Sequence, residues 1–354
     1  MDRQQDILDQ VNQAIASGTP LRIKGGGTKD FYGYPTRGEP LDTAGHRGII
    51  EYDPGELVIT CRAGTRLAEI RRALAEKGQH LPFDPPAFGE CATIGGAVSS
   101  GFSGPSRPWS GSLRDYLLGV KMVNGSGEIV RFGGQVMKNV AGYDIARLVA
   151  GAMGTLGVLL EVSFKVLPVP ARELTLVFEC DHSEAIREAN LWSGQCSGQP
   201  LPLSAACWYK GRLLVRLSGA VSETTRAAAV MQAKEQSDDL SYWEALREHQ
   251  TDFFTGPERL WRLSLPPAAG PLEVEADCML DWGGAQRWYR SDLPVDEIRR
   301  QAAQAGGHAT LFRGDSTEER FHPLPPALEQ LHVRIKQALD PHGLFNPMRI
   351  SRDW

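Results

Sequence analysis

The sequence predicts an α+β protein of two domains, on three observations. The chain has 354 residues, more than the roughly 100 to 200 usual for one domain. Strand-like and helix-like stretches follow one another without regular βαβ alternation, which points to antiparallel sheet. The pair Pro168-Val-Pro170 closes a glycine-rich half and opens one with fewer glycines, so it marks the boundary between the domains.

In chain order, Ile7, Val11 and Ile15 recur every fourth position, the spacing of one helix face. That helix stops at Gly18-Thr-Pro20. Residues 21–23 read as a strand running into three glycines, 57–61 as another strand, and 65–77 as a helix turning Leu67, Ile70 and Leu74 inward. Residues 82–112 are dense in Gly, Pro and Ser and read as a loop, which at about thirty residues is too long to be idle in a compact domain. Strands are expected at 117–124 and 128–132, joined by Gly125-Ser-Gly127, and at 156–166. The second half offers strands at 174–179, 204–209, 213–217, 259–265 and 276–282, and helices at 183–191, 224–236 and 295–305.

Composition removes several classes of function. With 42% hydrophobic and 23% charged residues the chain is ordinary for a globular protein. A net charge of -5 without a run of either sign leaves no electrostatic footprint for nucleic acid. The start, Met-Asp-Arg-Gln-Gln-Asp, has neither the basic end nor the apolar core of a signal peptide, so a cytoplasmic location is expected. The longest apolar stretch, 148–160, is bounded by Arg147 and Glu161 and falls short of the ~20 residues of a membrane helix. Six cysteines form no C-x-x-C pair, which disfavours a zinc, iron-sulfur or dithiol centre in this chain.

Gly25-Gly-Gly27-Thr28 carries the first chemical signal. Successive N–H groups without a Cβ can curl into a nest that holds an anion, although an isolated string of this kind is equally a flexible turn. A second segment, Thr93-Ile-Gly-Gly-Ala-Val-Ser-Ser-Gly101, has small residues wherever backbone would approach a flat or phosphorylated ligand. There is no G-x-x-x-x-G-K-[ST], and Gly151-Ala-Met-Gly-Thr-Leu-Gly157 has the wrong spacing for G-x-G-x-x-G. A kinase, an ATPase and a Rossmann dehydrogenase are disfavoured, and two separated anion-sized loops suit a dinucleotide.

Taken in order, Lys24-Gly-Gly-Gly-Thr28, Cys61-Arg-Ala-Gly-Thr65, Ala92-Thr-Ile-Gly-Gly96, Gly111-Ser-Leu-Arg-Asp115, Lys138-Asn-Val-Ala-Gly-Tyr-Asp144 and Gly154-Thr-Leu-Gly-Val158 resemble the FAD-binding domain of the vanillyl-alcohol oxidase / p-cresol methylhydroxylase (PCMH) family. Leu339-Asp-Pro-His-Gly-Leu-Phe-Asn-Pro347 resembles the closing motif of its FAD-linked oxidases. The resemblance implies a two-lobed PCMH-type FAD-binding domain over residues 1–170. It also implies a smaller α+β cap domain with an antiparallel sheet over 171–354, whose C-terminal tail returns to the FAD domain. A narrower similarity, to the FAD-binding subunits of bacterial glycolate oxidase complexes, rests on 138–144, Asp281-Trp-Gly-Gly-Ala-Gln-Arg-Trp288 and Gly307-His-Ala-Thr-Leu-Phe-Arg313.

Carried onto this sequence, the resemblance implies one FAD. Lys24, Gly25, Gly26, Gly27 and Thr28 would contact the diphosphate, and Thr93, Ile94, Gly95 and Gly96 would face them. Gly154, Thr155 and Val158 would supply main-chain contacts toward adenine and ribose, and Ser110, Gly111 and Asp115 would pass near the dinucleotide. Some relatives attach the flavin covalently through a His in the first loop; Thr28 stands there, so non-covalent FAD is expected. Implied partners are a larger FAD-containing, substrate-oxidising subunit and an iron-sulfur subunit, with contact to a membrane only through them.

Oxidation of a small 2-hydroxy acid needs a base for the hydroxyl proton and a cation for the carboxylate. His308 and Arg313 are the candidates, with Arg287 and Arg349 behind them; equally, His308, Thr310 and Phe312 are one face of a strand. His308-Ala-Thr-Leu-Phe-Arg-Gly-Asp315 lacks the Asn and second His of the metal-site string H-x-x-G-D-G-N-x-H carried by related substrate-oxidising flavoproteins, so no metal is expected. Three roles stay open: an electron-relaying FAD subunit, a self-sufficient 2-hydroxy acid (D-lactate or glycolate) dehydrogenase, and an assembly subunit with structural FAD.

Overall fold

The computed structural model describes residues 1–134, 144–194, 200–315 and 318–353. Residues 138–143 of the string that ends at Asp144, and one of the six cysteines, Cys196, lie outside them. The chain forms two compact units, one of Met1–Ser103, Ser112–Pro168 and Pro323–Trp354, the other of Gly104–Gly111 and Val169–His322.

The first unit is built on a five-stranded antiparallel sheet in the order Ile49–Asp53, Val58–Arg62, Val158–Lys165, Leu117–Val123, Ile129–Gly133. Its central strand, Val158–Lys165, is buried at all but Glu161 and Lys165 and places apolar side chains on both faces at its start. A register shift opposite Lys121 and Met122 lets it serve two cores. Leu159, Val162 and Phe164 pack with Leu67, Ile70 and Leu74 of the helix Leu67–Ala75. Val158 and Leu160 pack instead with Ile7, Val11 and Ala14 of the first helix, Gln4–Ser17. Leu344 and Phe345 join this second core, so the end of the chain is part of the same hydrophobic unit as its beginning. Gln4–Ser17 ends at Gly18, whose φ of 65° is the left-handed cap that glycine adopts without strain.

The second unit holds an eight-stranded sheet, antiparallel at each pairing. Helices His182–Ser193 and Val221–Met231 bury Ile186, Ala189 and Ala227 against Leu174, Leu176, Val215 and Leu217. Val295–Gln304 buries Ile298 and Ala302 against Trp261, Leu263, Tyr289 and Leu311. Both units therefore mix helices with antiparallel sheet, as the α+β reading requires.

Residues 82–112 depart from expectation. They contain the helix Ile94–Ser100, despite a Gly-Gly pair that lowers helix propensity. Tertiary packing overrides that propensity: Thr93 Oγ1 caps the helix by accepting the Gly96 N–H at 3.1 Å, and Ile94, Ala97 and Val98 enter the core. Residues 104–111 leave the first unit and belong to the second, where Gly104 O accepts the Trp282 indole N–H at 3.0 Å. Trp288 is a core residue, 3% exposed.

Candidate functional site

The strand Leu21–Lys24 delivers the first glycine loop. One edge of it pairs in parallel with Glu39–Asp42. Along the other edge Leu21 exchanges backbone hydrogen bonds with Leu344 O (2.8 Å) and Asn346 N–H (3.0 Å), and the Ile23 N–H donates to Asn346 Oδ1 at 2.7 Å. Beyond Lys24 that pairing ends. Among the described residues, the N–H groups of Gly25, Gly26, Gly27 and Thr28 donate to no protein acceptor.

This loop lies directly on residues 87–93. Gly26 has no space for a side chain, because a Cβ there would overlap the carbonyl oxygen of Cys91. A Cβ on Gly25 would stand 2.7 Å from Thr93 Oγ1. Thr28 Oγ1 donates to Ala87 O at 2.7 Å, and Lys29 Nζ to the same oxygen at 3.2 Å. Gly27 adopts φ 71°, with the Lys24 side chain folded across it, 2.8 Å from where a Cβ would be. Four consecutive open donors beside two ammonium-bearing side chains are the chemistry of an anion nest, and they fit a diphosphate.

The second glycine segment works differently. The N–H groups of Ile94, Gly95 and Gly96 are already used, on Thr65 O (2.9 Å), Ala63 O (2.8 Å) and Thr93 Oγ1 (3.1 Å). A Cβ on Gly95 would stand 2.8 Å from Ala63. This segment contributes shape and close approach, not free donors.

Other predicted residues are also engaged within the protein. Thr155 Oγ1 donates to Ala152 O at 2.7 Å, its carbonyl accepts Lys336 Nζ at 2.7 Å, and Val158 is fully buried in the ladder opposite Val123. Gly154 takes φ 72°, and a Cβ on it would meet Asn346 Nδ2 at 2.7 Å. Ser110 and Gly111 sit in the second unit, Ser110 Oγ donating to Ser106 O at 2.9 Å. Asp115 accepts the Ser112 N–H (2.8 Å) and hydroxyl (2.7 Å) in a capping box. Partial burial raises its carboxyl pKa, but the two Ser112 bonds outweigh that and hold it below the ordinary value.

His308 and Arg313 occupy the two ends of the strand His308–Arg313. Five residues of strand set their α-carbons about 17 Å apart, a spacing that weighs against the two acting together on one small 2-hydroxy acid. Desolvation and nearby Arg262 pull His308 below its usual pKa. Arg287 is likewise no clamp: fully buried, it donates to Gly284 O (3.1 Å), Gly270 O (2.6 Å) and Ala269 O. Sequence reasoning passed over the buried Lys336 and Asp340 and the local role of Asn346. The closing string Asp340-Pro-His-Gly-Leu-Phe-Asn346 was the signal for Asp340 and Asn346, and no motif in the sequence singled out Lys336.

Comparison with known proteins agrees with this geometry. Residues 2–133 match the family described as FAD binding domain, which makes the chain a flavoprotein of the FAD-dependent oxidoreductase class. It is 47% identical over 349 residues to the glycolate oxidase subunit GlcE of Escherichia coli, covering 99% of this chain and 97% of that one. The chain belongs to the GlcE family of glycolate oxidase subunits. It is also 36% identical over 160 residues to the glycolate oxidase subunit GlcD of Bacillus subtilis (45% of this chain, 34% of that one), and 30% identical over 159 residues to a D-lactate dehydrogenase of Archaeoglobus fulgidus (45% and 35%). Among solved structures, an alkyldihydroxyacetonephosphate synthase shares the fold, with a TM-score of 0.67 at 12% identity over 98% of this chain and 76% of that one.

Proposed function

We propose that this chain is the FAD-carrying subunit of a glycolate oxidase complex, relaying electrons from the oxidation of glycolate to glyoxylate. It would receive them from a larger substrate-oxidising flavoprotein subunit and pass them to an iron-sulfur subunit. The observation that carries the reading is the row of four open N–H donors at residues 25–28, in a chain 47% identical to GlcE over nearly its full length.

In this reading Gly25, Gly26, Gly27 and Thr28 hold the diphosphate by backbone N–H, and Lys24 and Lys29 offset its charge. Thr93, Ile94, Gly95 and Gly96 form the opposing wall, the main chain at Gly154 lies on the adenine-ribose side with the buried Thr155 and Val158 supporting it from behind, and Asp115 lies near the dinucleotide. When bound, FAD supplies two-electron acceptance and one-electron release. Thr28 offers no imidazole for a covalent link, so acid precipitation should leave yellow flavin in the supernatant. No helix among the described residues is long and apolar enough to cross a membrane, and membrane contact would come through partners. The roughly 17 Å between His308 and Arg313 argues against a self-sufficient dehydrogenase built on that pair.

The test is flavin absorbance under anaerobic conditions. Glycolate should bleach the flavin of this chain only in the presence of the substrate-oxidising partner, and the iron-sulfur partner should restore it. Bleaching of the isolated chain by glycolate would replace the relay with an independent enzyme.

A further inference from the structure

We infer that the C-terminal segment 344–349 is the element that presets the anion loop, with Asn346 and Arg349 as its positioning residues. This inference rests on the placement of the diphosphate at residues 25–28. Among the described residues the loop's four N–H groups donate to no protein acceptor, so its shape depends on what holds its flanks.

Asn346 holds the entry. Its Oδ1 accepts the Ile23 N–H at 2.7 Å, two residues before Gly25, while its Nδ2 donates to Met153 O at 2.8 Å, next to Gly154. One amide thus ties together the two main-chain segments assigned to opposite parts of FAD. Its backbone φ of 39° lies in the left-handed region that Asn tolerates better than most side chains. Aspartate could accept from Ile23 but would set a carboxylate against the Met153 carbonyl.

Arg349 holds the exit. Its guanidinium donates to Tyr34 O (3.0 Å), Lys29 O (3.2 Å) and Asp30 O (3.3 Å), and its carbonyl accepts the Tyr34 N–H at 3.0 Å. The tail is fixed in turn by Lys336, whose Nζ donates to Thr155 O (2.7 Å), Asp340 Oδ2 (2.6 Å) and Phe345 O (3.0 Å). Asp340 accepts the N–H groups of Leu344 (3.0 Å) and Phe345 (2.8 Å). A nest held in its binding shape before the ligand arrives avoids the ordering cost of binding.

The experiment uses the full chain stripped of flavin and titrated with FAD, reading flavin fluorescence, alongside amide hydrogen exchange of the apoprotein. Asn346→Ala and Arg349→Ala should each weaken FAD binding about tenfold, near the worth of one net hydrogen bond. Exchange over residues 23–34 should rise while the second unit's strands stay unchanged. Arg349→Lys, which can still reach a carbonyl, should recover part of the loss. If Asn346→Ala does not fold, the Arg349 pair decides alone. Wild-type affinity with unchanged loop exchange would overturn the inference, as would a loss of affinity accompanied by uniformly faster exchange. Apoprotein exchange reports the tail's hold wherever FAD sits. Failure of the site reading is seen separately, as no protection of residues 25–28 when FAD is added to the unmodified protein.

Discussion

Gly26 presents its bare α-carbon to the carbonyl oxygen of Cys91, leaving no room for even a methyl group. The glycine is therefore needed twice over, once for the open N–H of the nest and once so that two loops far apart in sequence can lie on each other. A test that adds charge at this position cannot separate the two needs, because any side chain disrupts the packing first.

Gly26→Ala should accordingly fail without adding charge. Relief of the overlap requires backbone movement, at a cost of about 1–3 kcal/mol, and the displaced loop should lose FAD. Flavin content after gel filtration and thermal unfolding of the apoprotein check both parts; stoichiometric FAD in this variant would contradict the close packing.

The Lys336–Asp340 pair predicts a distinct mutational pattern. Both side chains are shielded, 6% and 0% exposed, and burial lowers the Lys336 pKa, partly offset by Asp340. Lys336→Met alone should cost about 3–5 kcal/mol in denaturant unfolding, because it removes the carboxylate's countercharge and the donor to Thr155 O and Phe345 O, and adding an apolar change at Asp340 should not recover the loss, because it also orphans the Leu344 and Phe345 N–H groups.

Asp115 gives a pH signature. Its folded pKa is depressed below 3.8, so its contribution is present above that value and is lost as pH falls through the folded pKa. Asp115→Asn should lower stability by about 0.5 kcal/mol at neutral pH, a capping effect reduced by solvent screening. The difference between variant and parent should vanish at pH well below 3.8; a difference that persisted there would sink this account of the carboxylate.

For His308 and Arg313 the expectation is independence. If either residue affects glycolate turnover by the complex, the double alanine variant should show the sum of the single effects within about 0.5 kcal/mol, as for sites more than 7–10 Å apart. A coupling energy above about 1 kcal/mol would restore them as a cooperating pair.

Much of the strand pattern was legible from local sequence, because alternating or continuous apolar runs such as Val158–Lys165 carry their own burial signal. The glycine loop was legible as a candidate nest for the same reason of locality. The helix Ile94–Ser100 was not, since Gly95 and Gly96 argue against a helix and only its packing on Ala63 and the Thr93 cap sustain it. No periodicity could announce that Asn346 reaches Ile23, a pairing 323 positions apart, or that residues 104–111 pack with the second unit. For His308 and Arg313, closeness in sequence is separation along a strand, because an extended chain carries its two ends apart.

The central claim is that the diphosphate of FAD sits on the N–H groups of Gly25, Gly26, Gly27 and Thr28. Residue-resolved amide exchange with and without FAD tests it most directly. The account predicts strong protection of those four amides on binding and little change at Ile94, Gly95 and Gly96, whose N–H groups are bonded already. Stoichiometric FAD binding with those four amides still exchanging freely would contradict it.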